Sequence, residues 1–274
     1  MIFFDKNQKE HKAHLESQLS AVSSLKGNEI VQWRKERLAD GMVFFGNRNF
    51  VELAGRYVES PEDPDAIERL LVWMGSVRRA YEYERVYLVD AAGEKILVEP
   101  VEGGMDREHF KADILSMLPE GKPAFLDFHF CGNENHPKLA VVVPLLHSGE
   151  KKAFGALVLK IDPEVYLYPM IKRWPTPSRT AETLLVRREG NGAVFLNSLR
   201  FKEDAALKLS VSLEKKDVPA TMAVLGKKGE ARGIDYRGVR VLADVRAVPD
   251  SPWRIVAKMD ESEAFEPMAR MRTL

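Results

Sequence analysis

Along residues 5–40 the apolar positions are Leu15, Leu19, Val22, Leu25, Ile30, Trp33 and Leu38. Spacings of three, four and five put them on one stripe of a helix, not on the alternating faces of a strand. Gly27-Asn28 falls inside the run and predicts a kink there, or a second helix capped by Asn28. Residues 50–57 carry a further helical pattern. Residues 65–80 carry another, with Ile67, Leu70, Leu71 and Met74 on one side. The pattern then turns strand-like. Residues 85–90, the turn Ala91-Ala92-Gly93-Glu94 and residues 95–98 read as a hairpin. A short helix is predicted over 107–117, and strands over 124–130, 139–146 and 154–161. The last two strands are apolar on both faces, so this antiparallel sheet should be covered on both sides, with the long helical arm covering one.

Asp162-Pro163 opens a connector that ends near Trp174-Pro175-Thr176-Pro177-Ser178, where proline favours extended backbone. A second set of elements follows. Strands are predicted over 183–188 and 193–197 around Gly190-Asn191-Gly192, then a helix over 218–225. A meander over 231–236, 239–248 and 253–259 turns at Arg237-Gly238 and at residues 249–252. Two strands, a helix and three strands thus occur twice, with no sequence identity apparent between the halves. The fold class this implies is α+β: a long N-terminal helix carrying two tandem modules, each a mostly antiparallel sheet with flanking helices. The boundaries are 1–45 for the helix, 46–162 and 163–259 for the modules, and 260–274 for a C-terminal helix. The abrupt opening Met-Ile-Phe-Phe and the helical stub without a C-cap lead to the expectation of a piece of a longer polypeptide.

At 274 residues the chain suits two domains, and 45% hydrophobic residues allow packed cores. Lys plus Arg equals Asp plus Glu, at 41 each. No net field would draw a polyanion, which argues against a nucleic-acid partner. The one cysteine, Cys131, excludes an internal disulfide and a cysteine-based zinc site. No apolar run approaches the ~20 residues of a membrane span. Gly-x-Ser-x-Gly, His-Glu-x-x-His and a phosphate-cradling glycine loop are all missing from the sequence, so no enzyme activity is expected of this chain.

Several phrases, spread over nearly the whole length, resemble one family. They are Trp33-Arg-Lys-Glu-Arg-Leu-Ala-Asp40, Tyr83-Glu-Arg-Val-Tyr-Leu-Val-Asp-Ala-Ala-Gly93, Val142-Val-Pro-Leu145, Gly155-Ala-Leu-Val-Leu-Lys-Ile-Asp162, Tyr168-Pro-Met-Ile-Lys-Arg-Trp-Pro175, Gly233-Ile-Asp-Tyr-Arg-Gly238 and Ser251-Pro-Trp-Arg-Ile-Val-Ala-Lys-Met-Asp260. Together they resemble the double-Cache (PDC, PAS-like) extracytoplasmic sensor domain of transmembrane receptors. The resemblance implies membrane-distal and membrane-proximal PAS-like modules on a membrane-exiting helix, with attachment through flanking spans outside this sequence. It implies a periplasmic or extracellular location, a small-molecule ligand in the distal module, and a parent that is most often a sensor histidine kinase of a two-component system, sometimes a diguanylate cyclase or chemoreceptor. A ligand-free dimerisation or protein-interaction ectodomain is the alternative. A homodimer through the outward stripe of the arm is a further expectation. The Arg-x-Trp-Tyr segment of the family's amino-acid-binding subgroup is absent, so the resemblance does not specify an amino-acid ligand.

Within the first module, strict alternation over 124–130 puts Phe125, Asp127 and His129 on one face and Ala124, Leu126, Phe128 and Phe130 on the other. A carboxylate and an imidazole on a covered face suit a ligand pocket. Trp73, Arg78, Arg79, Tyr81 and Tyr83 precede the first strand, where arginine can clamp an anionic group and aromatics can wall it. With Tyr87 on the strand, the candidate ligand-binding set is Trp73, Arg78, Tyr81, Tyr83, Tyr87, Asp127 and His129. Asp127, His129 and His136 near Cys131 have metal-ligand chemistry, but the loop between them imposes no geometry, so neither metal nor cofactor is expected. His11 and His14 read as solvated. Asp235, Tyr236, Arg237, Arg240, Asp244 and Arg246 read as exposed ion pairs in preference to a second, smaller pocket.

Overall fold

A computed structural model describes residues 2–101, 111–131 and 135–267. Helix α1 runs without a break from Ile2 to Phe45. The kink expected at Gly27-Asn28 is absent. A mid-helix glycine costs only about 1 kcal/mol, and tertiary anchors hold the backbone on both sides. Lys26, 3% exposed, donates to the Met170 carbonyl at 2.8 Å, and Ile30 is fully buried. Helix α2 (Arg48–Glu59) starts where the Asn47 side chain accepts from the Phe50 amide. Helix α3 (Pro64–Ala80) has Asp63 as its cap and proline in its first turn. Both starts follow ordinary N-terminal chemistry.

The chain divides into two compact units, Trp33–Val165 and Met1–Gln32 with Tyr166–Leu274, so α1 is shared between them. In the first unit, strands β1 (Arg85–Asp90) and β2 (Lys95–Glu99) form the expected hairpin. Helix α4 covers Lys111–Met117; the start of the predicted helix, 107–110, lies outside the described residues. Strands β3 (Ala124–Phe130), β4 (Pro137–Leu145) and β5 (Gly155–Ile161) complete a five-stranded antiparallel sheet in the order β2-β1-β5-β4-β3. Every residue of β4 and β5 is buried, as double-sided runs require. One face, with Tyr87, Val89, Val98, Ala140, Val142, Ala156 and Val158, packs on Ile114 of α4 and on Leu118. The other meets α1. A Cβ on Gly41 would lie 3.0 Å from Val141 and 3.1 Å from Val143, so glycine permits the close approach of helix and strand.

In the second unit, α5 (Leu167–Lys172) lies inside the predicted connector. It escapes periodicity because it is six residues long and contains Pro169; burial of Leu167, Tyr168 and Ile171 holds it. Strands β6 (Glu182–Glu189), β7 (Gly192–Phe195), β8 (Ser210–Ser212), helix α6 (Pro219–Val224), and strands β9 (Gly229–Ile234), β10 (Arg240–Ala247) and β11 (Arg254–Asp260) follow. The sheet has six strands, one more than expected, in the order β8-β7-β6-β11-β10-β9. The extra strand, Ser-Val-Ser, buries one residue and gives no readable period. The core formed by Val186, Phe195, Ala243, Val245 and Val256 packs on Ala220 and Ala223 of α6. On the opposite face Leu242 packs with Leu15 and Leu19 of α1 and with Ala264 of α7 (Glu261–Ala264). Residues 268–274 of the predicted C-terminal helix lie outside the described residues.

Candidate functional site

The first sheet places the candidate residues on two different sides. Strand β3 does not alternate strictly. Leu126 pairs with Ala140, but His129 pairs with Lys138, so three steps on β3 match two on β4. One extra residue in the strand returns His129 to the face of Leu126. Phe125 therefore points the other way, its ring 5.9 Å from Trp33 and 4.4 Å below the Arg34 guanidinium. The shared face of Phe125 and His129 expected from alternation is wrong for this reason. Sequence gives little warning of a bulge without glycine.

On the α4 side, register and pairing place Tyr87, Lys95, His129, Lys138 and Lys160 on one face, spread across the five strands. Tyr87 is fully buried, with the Lys95 ammonium 4.8 Å from its ring centroid. His129 Nδ1 donates to the Asp127 carbonyl at 2.8 Å, which leaves Nε2 to accept from the Cys131 thiol at 3.2 Å. Burial lowers the His129 pKa below 6.5, against the raising effects of that carbonyl and of Asp113, so the ring is neutral near pH 7. Lys138 Nζ lies 2.8 Å from both Asp162 Oδ2 and Glu84 Oε2, and Lys160 Nζ lies 3.5 Å from Glu84 Oε1. Burial alone would depress the Lys138 ammonium, but its two carboxylates outweigh burial and its pKa is raised. Lys138 and Lys160 have no periodic signal that separates them from strand surface, which is why sequence reading passed over them.

Trp73, Arg78, Tyr81 and Tyr83 lie with the helices on the other side. Trp73 is 39% exposed and meets the edges of Phe44 and Phe50. Arg78 Nε binds Glu99 Oε1 at 3.2 Å, and Glu99 pairs with Val86, not with the Tyr87 face. Arg37 donates to the Tyr81 carbonyl at 3.0 Å. The Tyr83 hydroxyl donates to Asp40 Oδ2 at 2.7 Å inside the helical layer. The structure thus puts Tyr87 and His129 on the same face of the sheet but on β1 and β3, with β5 and β4 between them. It holds Asp127 in the bulge through its bond to the Phe128 amide at 2.7 Å, and it leaves the other four on the opposite side. His136 is exposed, and among the described residues no group of His, Cys, Asp and Glu could hold a metal ion. His11 is not simply solvated, since its Nε2 lies 2.9 Å from the Ala264 carbonyl oxygen.

The second sheet carries a related cluster on its α6 side. Lys258, wholly buried, lies 2.9 Å from Asp235 Oδ2 and 3.0 Å from Glu182 Oε2. Arg237 binds Asp235 and Asp260, with Phe201 4.1 Å beneath it, and the Tyr236 hydroxyl donates to Glu182. Burial alone would raise the Asp235 pKa, but Lys258 and Arg237 hold it below the usual carboxylate range. Asp244 is 2% exposed and bonded to Ser23 of α1 and, at 3.0 Å, to Arg246. The carboxylates of the pairs expected to be exposed, Asp235 and Asp244, are therefore buried, while Arg237 is half-buried. In both units the last strand ends Lys-x-Asp (Lys160-Ile161-Asp162, Lys258-Met259-Asp260), and the lysine meets a glutamate at the start of the first strand, Glu84 or Glu182. The halves share this Lys-x-Asp ending and the lysine–glutamate pairing it makes.

A family model described as a Cache domain matches residues 6–268. The chain belongs to the Cache domain family. No curated protein sequence matches it significantly. Among solved structures, this Cache domain is similar to the extracellular domain of soHK1S-Z6, a protein assigned to the histidine kinases. Identity there is 15%, coverage 95% of this chain and 99% of that one, and TM-score 0.64. It is also similar to the ligand-binding domain of the Pseudomonas fluorescens chemoreceptor CtaA in complex with L-isoleucine, at 12% identity, 95% and 98% coverage and TM-score 0.61. The amino acid chemoreceptor PctB of Pseudomonas aeruginosa, in complex with L-Arg, matches at 15% identity, 92% and 97% coverage and TM-score 0.61. Among the described residues no helix is long and apolar enough to cross a membrane.

Proposed function

We propose that this Cache domain is the extracytoplasmic ligand-sensing part of a membrane signal-transduction receptor, and that it binds a small polar molecule on the α4 side of the first sheet. The observation that carries the reading is the composition of that face. Tyr87 and Lys95 sit beside Val89, Val98 and Val158, and His129 stands on the same face three strands away, on β3. Polar groups spaced over an apolar surface are the mixture that orients small ligands. The receptor structures solved with L-isoleucine and L-Arg make free amino acids the first compounds to test. A histidine kinase output is proposed on the likeness to soHK1S-Z6. Its readout is ligand-dependent autophosphorylation of the full-length receptor in membranes. Mechanistically, a ligand that prefers one arrangement of the unit shifts its population by the difference in affinity between arrangements.

The test is a thermal-shift screen of amino acids and small organic acids, followed by calorimetric titration. At least one compound should raise the melting temperature. Tyr87→Phe or His129→Gln should weaken its binding by about tenfold or more, the scale of losing one hydrogen bond to a buried partner. Arg232→Ala, an exposed change in the other unit, should leave it unaltered. A screen without hits, or a hit indifferent to both Tyr87→Phe and His129→Gln, would overturn the proposal.

A further inference from the structure

A cavity lies in the other unit, on the α1 side of its sheet. Its volume is about 200 Å³. The floor is Leu15, Leu19 and Val22 of α1 with Leu242 of β10, and Met259 of β11 and Ala264 of α7 close its inner end. Trp174 forms one wall, and Gln18, Ala21 and Thr176 stand at the exposed mouth. Among the described residues no charged side chain lines it. Protein interiors hold few voids larger than a water molecule, and an apolar recess of this size offers water few hydrogen-bond partners. The residues that would close the core, Trp174, Met259 and Phe265, are only partly buried. The packing here is therefore open by construction on three separate elements.

We infer that this cavity is a binding site for a small uncharged hydrophobic molecule, of the size of a monosubstituted benzene. The absence of any charge in the lining excludes amino acids and organic acids, because an ion would enter without a counter-charge. The site is therefore distinct in ligand class from the one proposed on the first sheet. Its walls are the segments that bring the chain into and out of this unit. Glu263, beside Ala264, accepts hydrogen bonds from Ser178 at 3.0 Å and from the amides of Arg179 at 2.9 Å and Thr180 at 2.8 Å. A molecule under Trp174 thus bears on a connector already tied to α7.

The test uses toluene as the probe, with the full chain carrying labelled methionine methyls. Titration should give a saturable shift of the Met259 methyl resonance and nuclear Overhauser contacts from toluene to that methyl. Ala21→Phe, at the exposed mouth, should weaken binding at least tenfold in a protein whose spectrum remains dispersed, and Thr176→Phe should do the same from the opposite side. His129→Gln should leave the toluene affinity unchanged, which separates this site from the first-sheet proposal. A linear, unsaturable response, equal binding in both plugged variants, or a Met259 shift that follows protein concentration and not toluene would each overturn the inference. The last outcome would mean that a second copy of the chain covers the cavity.

Discussion

Asp40 shows what a single buried carboxylate asks of its neighbours. Burial raises its pKa above 3.8, against the lowering effects of the Tyr83 hydroxyl and of Arg37. Tyr83→Phe should therefore cost about 1–2 kcal/mol of stability, read from denaturant midpoints at pH 7. A carboxyl whose folded pKa is raised stabilises most below its ordinary value, and the contribution fades as pH climbs through the raised one. Asp40→Asn keeps the acceptor for Tyr83 and removes the titration. The variant should thus gain on the wild type between pH 4 and pH 7. His129 has the opposite sign: its folded pKa is lowered, so stability is present above 6.5 and declines as pH falls below it. His129→Gln should flatten that acid limb between pH 7.5 and 5.5. Which residues were titratable and partly enclosed was legible from alternation in β3. Which face each one chose was not, because the bulge between Leu126 and His129 depends on how β4 pairs with it.

At the scale of elements, the helices with cap chemistry and a sustained stripe were legible to within a few residues, as were strands with a clear run of apolar positions. The misses share a cause. Helix α5 and strand β8 are short pieces held by what they pack against, and the unbroken passage of α1 through Gly27 is likewise imposed by tertiary anchors. Gly41 permits a close helix–strand approach, and its role can be measured. A valine there would press on Val141, Val143 and Pro123, and overpacking of this kind costs about 1–3 kcal/mol. Gly41→Val should lower the melting temperature accordingly, while Gly27→Ala, facing no atom within 4 Å, should raise it slightly through helix propensity.

Across the whole molecule, the order of two strands, a helix and three strands announces the repetition. The duplicated Lys-x-Asp ending stayed hidden because its meaning is electrostatic, and its partner glutamate lies some 76 residues earlier in each half, as Glu84 does from Lys160 and Glu182 from Lys258. Lys258→Met should be among the most damaging single changes, at about 3–5 kcal/mol, because it leaves buried carboxylates short of a counter-charge. It should also bring acid unfolding on at higher pH. Asp235 contributes stability that is fully present above its unfolded pKa of 3.8 and is lost as pH falls through the depressed folded value, and Lys258 is the strongest of the groups that depress it. Urea midpoints from pH 3 to 7 would record both effects.

Charged groups give up less hydration when water is warm than when it is cold. The knot around Lys258 is dry, with its lysine at 0% and Glu182 and Asp235 at 4% and 2% side-chain exposure. Its desolvation cost should therefore shrink on warming, and the penalty of breaking it should be larger at about 45 °C than at about 15 °C.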